Sequence, residues 1–216
     1  MITSSTRDAR ETEPAPAGGS GTAGPEGNER LTALTGAVLL VLFAAQGVTL
    51  LSISSLLTEH FFIGLLLVGP VCLKLGSTCY RAVRYYTGHA PYRRKGPPAP
   101  LLRLVGPLVA LLSIAVLGSG LLLAFGWREI GPFPVLFLHK ASFWAWAAVM
   151  AVHVLAYIWR LPRLIAADLG RRRGSRHGAP GPGRAGLRWS LVAASLAAGT
   201  LLAMAEVHLV TTWRQG

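Results

Sequence analysis

The side chains best suited to chemistry in this sequence are three histidines and a lysine set inside apolar runs. In the stretch from about Phe133 to Arg160, FPVLFLHKASFWAWAAVMAVHVLAYIWR, His139 and His153 stand 14 positions apart. At roughly 100° per residue they differ by about 40° around a helix and by roughly 21 Å along it, so both face one way, near opposite sides of a bilayer. An imidazole facing hydrocarbon is costly, which makes an intramembrane histidine a candidate functional site. His60 opens an earlier apolar run and lies four residues before Gly64, and the glycine clears room on the histidine's face for a flat macrocycle. Lys74 follows His60 by 14 positions and falls on nearly the same face. Nitrogen ligands buried in pairs point to axial ligation of a haem iron.

The elements that must position these groups are membrane helices. The chain is 52% hydrophobic and only 14% charged, with several apolar runs of 20 or more residues, which excludes a soluble globular domain. The expected fold is all-α: a polytopic helical bundle over residues 31–210 with five crossings at about 31–53, 57–80, 101–126, 134–160 and 189–210. Residues 1–30 are polar and rich in Gly, Ser, Pro, Thr and Glu, and are expected to be disordered. No short apolar core with a small-residue cleavage site precedes the first span, so that span is expected to stay in place.

The net charge of +12 is concentrated in two loops rather than on one face, so it reports topology and not nucleic-acid binding. The 81–100 loop, RAVRYYTGHAPYRRKGPPAP, carries no acid, and the flexible 161–188 loop is arginine-rich with the single acid Asp168. Both read as cytoplasmic, the second as a partner for anionic lipid, and five spans then place the N-terminus in the cytoplasm as well. The second and fourth spans run parallel in this arrangement, with His60 and His139 at similar depth near the outer surface. Two imidazoles so placed can approach opposite faces of one haem b.

Other polar residues have milder readings. His153 lies at the depth of Lys74, with no second intramembrane histidine there, so it either ligates a second haem with an unusual sixth ligand, makes a hydrogen bond within the bundle, or relays protons. Lys74 either snorkels toward the basic loop or meets a cofactor carboxylate. Arg128 and Lys140, near the outer ends of the third and fourth spans, are candidates for haem propionates or topological anchors. Gln46 is read first as an interhelical hydrogen-bonding group and second as a cofactor contact. His89 is expected in solvent and His208 at an interface with no role. Cys72 and Cys79 lie about 10 Å apart by helical rise, too far to bond, and form no CxxC or CxxCH motif.

A helix with two histidines 14 apart, parallel to one with a histidine opposite the first, resembles the haem-bearing helices of cytochrome b and of small bacterial cytochrome b561-like proteins. The stretches LLVGPVCLKLGSTCYRAVRYYTG, YRRKGPPAPLLRLVGP and LHKASFWAW also look like those of a group of actinobacterial integral membrane proteins of similar length. The likeness covers about residues 55–160. It implies a multi-pass protein of the bacterial cytoplasmic membrane in which His60, His139 and His153 match three of four ligand positions and Lys74 occupies the fourth.

Two functional classes follow. The first is a b-type cytochrome, an electron-transfer subunit of an oxidoreductase, working between quinone and an outer redox partner protein. The second is a cofactor-free membrane scaffold with structural histidines. A transporter is weaker, because no internal repeat or matched pair of broken helices marks a central substrate site. No nucleotide fingerprint, zinc spacing or flavin motif is present.

Overall fold

A computed structural model describes residues 25–94, 100–157 and 183–211. Among the described residues the fold is all-α, with five helices long and apolar enough to cross a membrane: Gly27–Ser52, Leu57–Tyr86, Arg103–Ala124, Val135–Ala156 and Gly186–Leu209. In chain order these belong to α1 (Pro25–Thr49, continued by a 3-10 turn at Leu50–Ser52), α2 (Leu57–Tyr86), α4 (Pro100–Ala124), α5 (Val135–Tyr157) and α6 (Gly183–Glu206, continued by a 3-10 turn at Val207–Leu209). A five-residue helix, α3 (Ala90–Arg94), follows α2.

Helix limits depart from the sequence expectation for identifiable reasons. The start of α1 reaches back to Pro25 because its polar first turns have a partner: buried Asn28 donates to Ser77 O of α2 at 3.0 Å, and the Thr32 and Ser77 hydroxyls pair at 3.1 Å. Part of the expected 81–100 loop is helix. There α2 runs on to Tyr86, aided by Arg84 Nε donating to Tyr80 OH at 3.1 Å with its guanidinium over that ring, and stops where Gly88 takes φ 84°. Likewise α6 begins at Gly183, inside the segment expected to be loop. The rest of the expected disorder, residues 1–24, and of the basic loop, residues 161–182, lies outside the described residues.

Packing divides the bundle into two halves. On one side α2 packs against α1 and α6; on the other α4 packs against α5. The α2/α6 crossing is backbone on backbone, since a Cβ at Gly69 would collide with Ser195 O and one at Gly199 with Leu66 O. Pro70 lacks an N–H, so the Leu66 carbonyl is released from the helical ladder at the point where α6 closes on it. Gly69 is nine residues from His60, about 180° around the helix, so the face bearing His60 is turned away from α6 and toward the other half.

The α4/α5 hairpin closes through two short antiparallel strands, β1 (Glu129–Ile130) and β2 (Phe133–Pro134), with Glu129 opposite Pro134 and Ile130 opposite Phe133. Gly131, with φ 56°, turns the chain between them, and Val135 N–H donates to Arg128 O at 2.9 Å.

The face between the halves has a seven-residue register on three helices: Thr32, Leu39 and Gln46 on α1; Lys74, Leu67 and His60 on α2; His153, Trp146 and His139 on α5. Seven residues are nearly two helical turns, so each trio forms one stripe. The middle level is apolar. Leu39, Leu67 and Val71 form a buried cluster with Phe43 and Ile63 against it, and Phe43 meets the Trp146 ring at 4.6 Å. Trp146 Nε1 donates to buried Ser113 Oγ at 2.9 Å, which satisfies the indole where no water reaches it. Polar side chains occupy the levels above and below.

Candidate functional site

At one end of this face His60 of α2 and His139 of α5 come together, their ring centroids 6.4 Å apart and their planes at 87°. The pairing fixes α2 and α5 as parallel. Their backbones are not closely packed, so the rings meet across a gap between the helices.

Each ring is anchored through Nδ1. Thr49 Oγ1 donates to Gln46 O at 2.6 Å, which spends its proton, so at 2.8 Å from His60 Nδ1 the hydroxyl oxygen accepts. His139 Nδ1 donates to Val116 O at 3.0 Å, with Ser119 Oγ at 3.2 Å as a second acceptor, because that hydroxyl donates to Ala115 O at 2.7 Å. Both imidazoles are therefore protonated on Nδ1 and carry their lone pair on Nε2. A partner on Nδ1 that fixes the tautomer and the ring orientation is the usual companion of a metal-ligating histidine.

Gln46 stands beside His60, and its Nε2 donates to His60 O at 3.0 Å. The same nitrogen lies 3.1 Å from Nδ1 and 3.3 Å from Nε2 of the ring. Near-equal distances to both nitrogens place it along neither in-plane lone pair, so it does not consume the Nε2 acceptor. Its interhelical hydrogen bond matches the first of its two sequence readings.

The two glycines differ in what they make room for. A Cβ at Gly64 would sit 3.6 Å from Gln46 Nε2, an ordinary contact, so the space beside His60 is shared with the glutamine side chain. A Cβ at Gly120 would come within 3.2 Å of His139 Cε1, so α4 lies this close to the ring only because residue 120 has no side chain.

About 21 Å along α2 and α5 from this pair lies the second polar level. Lys74 Nζ donates to Thr32 O at 2.6 Å, and a Cβ at Gly36 would stand 3.1 Å from that nitrogen. His153 occupies the matching position of the seven-residue register on α5. Lys74 thus reaches across to the backbone of α1, at the level of Ser77.

The remaining candidates lie at the surface. Arg128 is exposed in the α4/α5 hairpin, and Lys140 is exposed although it follows His139 directly. His89 is exposed with its ring 5.7 Å from that of Tyr92, and exposed His208 has Nδ1 2.8 Å from Ala205 O. Cys72 and Cys79 are both free and exposed.

Thr49, Val116, Ser119 and Gly36 were not singled out from sequence. Thr49, three residues after Gln46, and Ser119, beside Gly120, carry weak signals, because hydroxyls are common in membrane helices. A backbone acceptor such as Val116 O leaves no sequence signal at all. Of the α1 stripe only Gln46 was singled out; its seven-residue register with Leu39 and Thr32 emerges in the folded bundle.

Metal–nitrogen bonds of about 2.0 Å and roughly 1.1 Å from nitrogen to ring centroid put two imidazoles on opposite sides of one metal about 6.2 Å apart between centroids. The His60/His139 separation of 6.4 Å fits that arrangement. Among the described residues no group of three or more His, Cys, Asp or Glu could hold a bare metal ion. Two imidazoles alone suit a metal that brings its remaining ligands with it, as haem iron does. No family model matches this chain, and neither does any curated protein or solved structure.

Proposed function

We propose that this protein is a b-type cytochrome of the bacterial cytoplasmic membrane, with one haem b held between His60 and His139, carrying electrons between a quinone pool and an outer partner. The observation that carries the reading is the 6.4 Å separation of two imidazoles on parallel helices. Bound haem supplies one-electron redox chemistry. The chain's own residues would hold and tune it: Nε2 of His60 and of His139 would be the ligand atoms, while Thr49 on one side with Val116 O and Ser119 on the other fix the rings and would raise their basicity. Arg128 and Lys140, exposed toward the same end of the bundle, are the cations available to propionates. The arginine-rich segments put the opposite end in the cytoplasm, with the N-terminus there too.

Purified protein from haem-replete cells is expected to show a Soret band and a reduced α band. His60→Ala and His139→Ala should each abolish the low-spin bis-imidazole signal, since either change removes one of the two imidazoles that would hold the iron. Normal low-spin spectra in both variants would overturn the pairing.

A cofactor-free scaffold draws on one observation, that Nδ1 of both rings is satisfied by protein acceptors alone. The same spectrum separates the two readings, because a scaffold has no Soret band.

A further inference from the structure

The corner where α2 gives way to α3 gathers polar side chains that the histidine site does not use. Glu59, in the first turn of α2, and Arg84, near its end, stand about 37 Å apart along the helix, against a hydrocarbon core of roughly 30 Å. Arg84, and Arg81 one turn before it, therefore stand in the headgroup layer at the arginine-rich end of the bundle. Val83 and Tyr86 on the same stretch are exposed.

Arg84 is held in place by its neighbours. Its Nε donates to Tyr80 OH at 3.1 Å, and its guanidinium carbon lies 5.4 Å from the centroid of that ring. The Tyr80 ring in turn meets Tyr92 edge-on at 6.3 Å, and Tyr92 is buried although it belongs to the five-residue helix α3. The backbone fixes the fold-back: Gly88 turns the chain, His89 N–H donates to Arg84 O at 3.1 Å, and Tyr92 N–H donates to His89 O at 3.0 Å. The His89 ring closes on Tyr92 at 5.7 Å. With Nε occupied and the guanidinium laid over Tyr80, the two terminal nitrogens of Arg84 form a planar fork of donors. Among the described residues no carboxylate pairs with Arg81, Arg84, Arg93 or Arg94, and residues 60–128 contain no Asp or Glu.

An oriented fork in the headgroup layer, with further cations around it and apolar side chains exposed beside it, fits a phosphate diester carried on acyl chains. We infer that the α2/α3 corner binds an anionic phospholipid of the surrounding leaflet, with Arg84 holding the phosphate through both terminal nitrogens. Arg81, Arg93 and Arg94 supply the surrounding positive field, and Val83 and Tyr86 offer contact to the chains. Binding here is independent of haem. It differs from diffuse attraction in depending on the shape of one guanidinium and on the ring that orients it, whereas a diffuse field depends only on the number of charges.

The test titrates full-length protein in neutral detergent with phosphatidylglycerol, phosphatidylcholine or inorganic phosphate, counting bound lipid by native mass spectrometry with thermal shift as a second readout. Phosphatidylglycerol should bind at least tenfold more tightly than phosphatidylcholine, and millimolar inorganic phosphate should not displace it. Arg84→Lys keeps the charge but loses the fork, and should weaken binding tenfold or more. Tyr80→Phe removes the acceptor for Nε while keeping the ring, should weaken binding threefold or more, and carries the test if size-exclusion shows that Arg84→Lys does not fold. Arg94→Gln, which removes a charge from an exposed position, should stay within threefold of wild type. Wild-type affinity in Arg84→Lys and Tyr80→Phe, or a loss in Arg94→Gln as large as in Arg84→Lys, would reduce the corner to diffuse attraction and overturn the inference. Equal affinity for phosphatidylcholine would also overturn it, as would displacement by inorganic phosphate, the mark of a site for free phosphate.

Discussion

The two polar ends of the α2/α5 face share one spacing and differ in what anchors them. At the His60/His139 end, two rings of the same chemistry face each other, and each is fixed through Nδ1 by an acceptor on a neighbouring helix. At the Lys74/His153 end, a long flexible amine reaches a backbone carbonyl of α1, and the groups at matching register positions of α2 and α5 are chemically unlike. Residue spacing sets where a group stands; the neighbour that holds it sets what it can do. An imidazole locked in tautomer and orientation is prepared to ligate iron, whereas a lysine ammonium has no lone pair to give and can only donate hydrogen bonds. Between the two polar ends lies an apolar level formed by Phe43, Leu67 and Trp146.

The largest expected effect that breaks the comparison is loss of a ligand: His139→Ala should remove the low-spin spectrum, while His153→Phe should leave haem content near one per chain by pyridine haemochrome assay. Haem content near two in wild type would make the ends alike after all. Next comes the support of the rings. Thr49→Val removes the acceptor for His60 Nδ1–H and should weaken haem retention about 10- to 100-fold, with a rise in midpoint potential as the ligand becomes less basic. Retention equal to wild type in a haem-transfer assay would show that Thr49 does not orient the ring.

A smaller contrast lies in the glycines. Gly120→Ala must displace the His139 ring, against which its Cβ would stand at 3.2 Å, and should broaden or shift the low-spin signal; Gly64→Ala, at 3.6 Å from Gln46, should leave it unchanged. Equal spectra for both would mean that α4 yields without moving the ring. The least effect is expected from Gly36→Ala, which meets only the tip of Lys74 at 3.1 Å. A flexible side-chain end can give way, so thermal stability should fall by less than about 1 kcal/mol, the usual range for a change away from packed or unsatisfied groups.

Much of the fold was legible in the sequence because apolar length decides it. Five runs long enough to cross a bilayer became five helices, and the expected depth match of His60 with His139 followed from the parallel second and fourth spans that the loop charges imply. Helix limits were less legible, since α1 starts early only because Asn28 finds Ser77, a contact between residues far apart in the chain. The behaviour of Lys74 was hidden for the same reason: its acceptor is a backbone carbonyl, exposed to it beside a glycine four residues further along α1. Site residues that act through side chains on a periodic stripe can be read in advance, while those that act through backbone atoms, such as Val116, cannot.

The central claim, one haem b between His60 and His139, is tested most directly by the pyridine haemochrome stoichiometry and reduced-minus-oxidised spectrum of the purified protein. One haem b per chain is expected, with a low-spin spectrum that disappears in either His60→Ala or His139→Ala. Protein expressed with adequate haem that shows neither a Soret band nor a reduced α band would contradict it.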